Sequence, residues 1–284
     1  MKKHWSTIIL ISIFFIGLSV LLYPTISNYI NELSATKAII NYEAIVKNMD
    51  EDDYERILES ARQYNHLIAQ TGGRIYGNGA PIDPDYLAEL NVSGDGMMGY
   101  VEIKKLGVSL PIYHGTSDEV LLHHTGHLEG SSLPIGGEST HAIITGHRGL
   151  PSAKLFTDLD RLEIGDTFEI VIMKETLTYE VEDISVVLPE NVAGLGVVAG
   201  EDYVTLVTCT PYAVNTHRLL VRGTRIETRE SRSVTADAIQ IDPLLVAPVV
   251  AAPLLLGLLV LLLVSTGKKR GKMKEKDNTA KEGG

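Results

Sequence analysis

Tyr203-Val204-Thr205-Leu206-Val207-Thr208-Cys209-Thr210-Pro211-Tyr212 decides how this chain is read. Its first seven residues are β-branched, aromatic or aliphatic up to the thiol, the composition of a strand. Pro211 cannot continue the ladder, so the strand ends there and the backbone is fixed just beyond Cys209. Cys209 is the only cysteine in 284 residues, which excludes an internal disulfide. A buried core thiol, an intermolecular bridge and a nucleophile are the readings left.

Working outward, further runs of the same character fall at 98–103, 110–113, 141–146, 167–173, 177–187 and 219–226, separated by Gly, Pro or Asp. Short strands at such spacing predict an antiparallel barrel or sandwich. Two short helices are expected between them, at 118–124 and 153–162. Before the strands, residues 28–70 read as an amphipathic helix, with Ile39, Ile40, Ala44, Ile45, Ile57, Leu58 and Ala61 at three- and four-residue spacing. Gly72-Gly73 and Gly77-Asn78-Gly79-Ala80-Pro81 break it, and 71–96 reads as a loop with a helical turn near 85–90. No internal repeat is visible.

Two apolar runs frame this region. Residues 6–23 follow Lys2 and Lys3, and residues 244–264 precede Lys268, Lys269, Arg270, Lys272, Lys274 and Lys276. Each reaches the roughly 17 residues a membrane-spanning helix needs. The flanking cations put both termini inside the cell and the middle of the chain outside. A cleaved signal peptide is the alternative for the first run, but Tyr23-Pro24-Thr25-Ile26 is too bulky for a cleavage site. The formal charge of -11 divides into +6 at the two ends and -17 between them. An acidic outer domain speaks against nucleic acid as a ligand and is otherwise what keeps an exported domain soluble.

A thiol becomes a useful nucleophile when a histidine or arginine favours its charged form. His147 ends one expected strand, in Ile143-Ile144-Thr145-Gly146-His147-Arg148-Gly149, and Arg218 begins another. Ends of different strands meet on one rim of a barrel, so 62 residues between His147 and Cys209 are no obstacle. Taken singly, His147 reads as a hydrogen-bonded turn residue and Arg218 as a surface ion-pair partner.

Taken together, these segments resemble the sortase family, specifically its pilus-assembling class C. Thr205-Leu206-Val207-Thr208-Cys209 matches the family's Thr-Leu-x-Thr-Cys, Thr145-Gly146-His147-Arg148 its histidine segment, and Asn215-Thr216-His217-Arg218-Leu219 its arginine segment. The likeness extends from about 92 to 226. It implies a mostly-β fold, the eight-stranded sortase-type barrel with short helices, an N-terminal helical segment and a lid loop, flanked by two transmembrane helices. It implies Cys209 as nucleophile, His147 as acid/base and Arg218 as stabiliser of the oxyanion or holder of the substrate carbonyl, with Thr208 beside them as a substrate contact. The implied partners are pilin subunits with Leu-Pro-x-Thr-Gly sorting signals, an acceptor lysine amine and the lipid membrane, with no cofactor. Class C lids carry Asp-Pro-aromatic. Here Asp83-Pro84 is followed by Asp85, and Tyr86 arrives one place late, so Asp83 and Tyr86 are the lid pair in a shifted geometry or the lid is short and leaves the site open.

The expected division is a cytoplasmic start at 1–5, a signal anchor at 6–27, helix at 28–70, lid loop at 71–96, barrel at 97–228, polar tether at 229–243, second span at 244–265 and basic cytoplasmic tail at 266–284. His123, His124 and His127 suggest a metal only superficially, because no carboxylate or thiol sits at ligand spacing and Gly126 should end their helix. Leu133-Pro134-Ile135-Gly136-Gly137 lacks the Thr of a sorting signal and lies mid-domain. An enzyme that anchors surface proteins to peptidoglycan would share the first half-reaction. A membrane-tethered pilus component or adhesin with an inert thiol is the non-enzymatic alternative.

Overall fold

The computed structural model describes residues 5–72, 83–192 and 194–228, together with Leu256 and Gly257. The expected tether, second span and basic tail, and residues 73–82 of the expected lid loop, lie outside the described residues. The chain falls into two units, Met1–Ile26 with Ser233–Gly284, and Ser27–Arg232. In the first unit, helix α1 (Trp5–Asn48) begins, and its side chains around Ile13, Ile16, Val20 and Leu21 are apolar and exposed. Among the described residues this is the one helix long and apolar enough to cross a membrane.

In the second unit, α1 buries Asn31, Ala35, Tyr42 and Val46, one face at helical spacing. The Tyr42 hydroxyl donates to the Met98 carbonyl and accepts from the Met173 N–H, both at 2.7 Å, which ties the helix to the barrel at two points. The single long helix expected over 28–70 is in fact two. Asp50 caps α2 (Glu51–Thr71) by accepting from the Asp53 N–H at 2.8 Å, and Glu51, Asp52 and Asp53 complement the positive helix start. Asn65 of α2 clamps Leu133 through both its amide atoms, at 3.0 and 2.6 Å. Gly72, at φ 76°, closes α2 in the left-handed conformation glycine adopts freely. A short helix α3 (Pro84–Ala88) follows, capped by Asp83.

Strands β1 (Met97–Ile103), β2 (Val108–His114), β3 (Thr125–His127), β4 (Thr140–Thr145), β5 (Thr167–Ile172), β6 (Glu175–Val187), β7 (Asp202–Thr210) and β8 (His217–Ile226) close into a barrel in the order β1-β2-β3-β4-β7-β8-β6-β5. Its core includes Val101, Ile103, Ile112, Ile144, Ile170, Val204, Leu206 and Val221, all essentially inaccessible. A closed sheet with a filled interior has no edge left to pair with another chain.

The all-antiparallel expectation needs correction. β2 and β3 run parallel, as do β4 and β7. The β4 and β7 pair is the consequential one, because β5 and β6 intervene in sequence and let the chain re-enter beside β4 in the same direction.

Two local expectations also differ. The segment expected as helix over 118–124 stops after α4 (Asp118–Leu121), and Thr125–His127 forms a strand between β2 and β4. The helix expected over 153–162 is turns ending in a 3-10 turn at Leu159–Arg161. There Leu155 has φ 41°, the Phe156 N–H bonds back to the His147 carbonyl at 3.1 Å, and the Lys154 N–H is taken by Asn28 at 2.7 Å, so the helical ladder is diverted.

Candidate active site

Side chains alternate along β7. Val204 and Leu206 face the core, so Val207 and Cys209 share the other face. Cys209 is partly exposed near the strand end. Across the antiparallel partner, β8 sets Arg218 directly opposite Cys209. On the other flank β4 runs parallel to β7 with Thr145 level with Val207, and His147 follows two residues past the end of β4. The Gly146 N–H donates to the Val207 carbonyl at 3.0 Å, and the Thr208 hydroxyl donates to the Gly146 carbonyl at 2.7 Å. Cys209 thus stands near the end of the middle one of three adjacent strands, with His147 following one neighbour, β4, and Arg218 on the other, β8.

His147 is half-buried, and that burial holds its imidazole below the usual histidine range of about 6.5. Asp118 opposes the shift and Arg218 adds to it, so both charges lie within electrostatic reach of the ring. Arg218 Nη1 donates to the carbonyls of His217 at 3.2 Å and Asn215 at 3.4 Å. Both acceptors are neutral, and among the described residues no carboxylate forms an ion pair with it.

One step down β7 from the thiol begins an apolar patch. Ile143, Val207 and Leu220 are buried in it, with Leu128, Val187 and Leu195 partly buried around them. Leu195 comes from the loop at 188–201, which His141 pins to the barrel wall. His141 Nδ1 donates to the Gly196 carbonyl at 2.9 Å, and its Nε2 accepts from the Thr205 hydroxyl at 2.7 Å. Burial lowers the pKa of His141, which suits this neutral form.

Of the expected site residues, Cys209, His147 and Arg218 come together, and three others do not join them. Thr208 is 1% exposed with its hydroxyl committed to Gly146, so it joins strands instead of facing a substrate. Asp83 is exposed, caps α3 and donates its backbone N–H to the Glu129 carboxylate at 2.8 Å. Tyr86 is a core residue, 1% exposed. Its hydroxyl donates to His127 Nδ1 at 2.9 Å and accepts from the Gly115 N–H at 3.0 Å, and its ring packs on His127 and His114. None of these contacts is with Cys209, His147 or Arg218; a ring this deeply buried is an anchor for α3, not a cover for the thiol. The three histidines weighed as metal ligands also separate: His123 meets Asn31, His124 stacks on Tyr113, and His127 is enclosed with Tyr86.

Three groups escaped the sequence reading of roles. Asp118 was placed in a helix, and nothing in its neighbours signals a route to His147. The patch around Val207 and Leu220 was legible as strand but not as one face of three strands. Arg148 was quoted only as the residue after His147. Its side chain is 8% exposed, paired with Asp160, and donates to the Thr210 hydroxyl at 3.2 Å.

Fold and site together define a closed mixed barrel with a cysteine, a histidine and an arginine at or just past neighbouring strand ends. Comparison with known proteins agrees. The family model described as Sortase domain matches residues 101–226. Crystallographic sortase C1 from Streptococcus agalactiae is 49% identical, with 68% of this chain and 100% of that chain covered and a TM-score of 0.64. Sortase C-1 from Streptococcus pneumoniae is 42% identical over 68% of this chain and 100% of that one, with a TM-score of 0.59. The curated sortase A of Streptococcus agalactiae serotype III is 30% identical, covering 47% of this chain and 55% of the relative. The chain spans about half the length of the curated relatives it matches. The chain belongs to the sortase family, in its class C branch.

Proposed function

We propose that this protein is a membrane-bound cysteine transpeptidase that cuts a Leu-Pro-x-Thr-Gly type sorting signal between Thr and Gly and passes the acyl group to a lysine amine of another pilin subunit. The observation that carries it is the meeting of three strand ends, with Cys209 opposite Arg218 and with Gly146, the residue before His147, bonded to Val207 and Thr208. The Cys209 thiolate adds to the Thr carbonyl, and the Arg218 charge stabilises the oxyanion. His147 protonates the departing glycine amine, leaving a thioester. A neutral lysine amine then attacks the thioester, gives its proton to His147 and expels the thiolate. One amide is exchanged for another, so no ATP is needed outside the cell, and the kinetics are ping-pong.

Beside the thiol, the patch of Ile143, Val207 and Leu220 suits the leucine of such a signal. Sequence similarity to a pilus-related sortase C of Group B Streptococcus, 44% identical with a TM-score of 0.60, favours pilin over peptidoglycan as the acceptor. The apolar start of α1, the apolar run of sequence at 244–264 and the lysine-rich sequence after it support a topology with both ends cytoplasmic and the barrel outside.

The test is the full-length protein in detergent with a pilin bearing the signal. A trapped thioester on Cys209 and a covalent ladder are expected. The ladder should vanish when the acceptor lysine of the pilin is replaced, while the thioester persists. A ladder that survives lysine replacement, or one that needs a peptidoglycan stem peptide, would remove the pilus assignment.

A further inference from the structure

We propose that Arg148 is a positioning residue that sets the His147 imidazole against the Cys209 thiol. This rests on the transpeptidase reading above. The residues either side of His147 are bonded to the residues either side of Cys209. Ahead of His147, Gly146 is bonded to Val207 and Thr208, at 3.0 and 2.7 Å. Behind it, Arg148 Nη1 reaches the Thr210 hydroxyl at 3.2 Å. His147 and the β4-facing side of Cys209 are therefore enclosed by cross-strand bonds, although no regular ladder joins them: β4 has already ended at Thr145, while β7 stays paired with β8 through Thr210. Arg148 takes over where the backbone pairing stops.

The same guanidinium gathers three segments. Its Nη2 pairs with Asp160 of the 3-10 turn, Nη1 holds the end of β7, and its plane lies 6.0 Å from the centroid of the Tyr212 ring in the turn leading to Arg218. Gly149 leaves room for that ring, since a Cβ there would lie 3.1 Å from it, and the Gly149 N–H is held by Thr157 at 3.1 Å. A side chain only 8% exposed, facing an Asp160 that is 47% exposed, is not a surface ion pair. Its Nε is buried with no partner among the described residues, so full satisfaction of its own donors does not explain the placement. What the placement does achieve is fixed spacing between the two groups that must act on the same carbonyl carbon and its leaving amine. Misplacing reacting groups by about 1 Å is enough to cost about 100-fold in rate. A planar fork can hold Thr210 and Asp160 at once while its charge lies over the Tyr212 ring, whereas a lysine ammonium can satisfy one of them.

The test uses the full-length protein and the variants Arg148→Lys, Thr210→Val and their double. Three quantities are read: cleavage of a sorting-signal peptide, alkylation of Cys209 by iodoacetamide as a function of pH, and the thermal unfolding midpoint. For Arg148→Lys the expected result is kcat lower by about 30-fold with KM within about threefold, the pattern of lost alignment and not of lost binding. The pH profile of alkylation should also lose the limb contributed by His147, with the unfolding midpoint moving only a few degrees. Thr210→Val should lower kcat less, and the double variant should be no worse than Arg148→Lys, because both remove one coupling. The proposal is overturned if kcat stays within about twofold, if the loss lies in KM, if the two substitutions act additively, or if the alkylation profile is that of the wild type. Should the Arg148 variant not fold, Thr210→Val alone decides through the same profile. Absence of peptide cleavage in the wild type would end the transpeptidase reading, and alkylation would still report whether Arg148 sets the histidine against the thiol.

Discussion

Cys209 owes its partners to strand register, and each partner has a separate physical handle. Replacing Cys209 by Ala is expected to abolish thioester and polymer while leaving the unfolding midpoint nearly unchanged, since the thiol is only partly buried. Detectable polymer from that variant would remove the nucleophile assignment. For His147, burial lowers the pKa, Asp118 raises it and Arg218 lowers it further. Removing the carboxylate takes away support for the imidazolium, so Asp118→Asn should move the His147 titration to lower pH, and Arg218→Gln should move it to higher pH. An NMR titration in the Cys209→Ala background, where no thiol couples to the ring, checks both signs. The residues of this trio were legible in the sequence because each stands at the end of a β-branched run. Asp118 was not, because its approach to His147 depends on where β3 joins the barrel, and three residues carry too little periodicity to reveal a strand.

Among the elements, the β4 end and the α3 anchor invite the sharpest tests. A Cβ on Gly146 would lie 2.6 Å from the Phe156 ring, itself 1% exposed and unable to retreat. Gly146→Ala should therefore cost roughly 1–3 kcal/mol in a denaturant titration and depress peptide cleavage further than stability loss explains, because the residue next along is His147. The anchor of α3 depends on a neutral histidine. His127 is fully buried, and burial pushes its pKa down to about 4. Its Nε2 donates to the Ser132 carbonyl at 2.8 Å, so Nδ1 must accept from Tyr86. The folded protein resists taking the proton that the unfolded chain accepts near pH 6.5. Nothing is lost above that pH, and stability falls as the pH drops from about 6.5 to about 4, by about 3 kcal/mol in all. Urea midpoints at pH 7 and 4.5 measure this, and His127→Gln should flatten the difference. An equally steep fall in that variant would assign the acid sensitivity elsewhere. Tyr86 shows why the sequence left two readings of the lid open: an aromatic residue after Asp-Pro looks the same in sequence whether it covers a thiol or packs under a helix, and in the structure its ring packs on His114, His127 and Tyr64.

At the scale of the molecule, the Ser27–Arg232 unit contains its own core, and the exposed apolar start of α1 belongs to the other unit. Deleting residues 1–26 together with 233–284 should leave peptide cleavage within about twofold and the unfolding midpoint unchanged, while the protein moves from the membrane fraction to the soluble one. Loss of cleavage in that truncation would mean the barrel depends on the anchor. The sequence by itself determined the apolar segment, most of the strands and the identity of thiol, imidazole and guanidinium, because composition, period and spacing are local properties. The tertiary structure alone decided that β4 and β7 run parallel, that Thr208 and Tyr86 face inward, and that Arg148 reaches Thr210. Those outcomes depend on which strands become neighbours when the sheet closes, and closure sums contacts among residues far apart in the chain that no local pattern records.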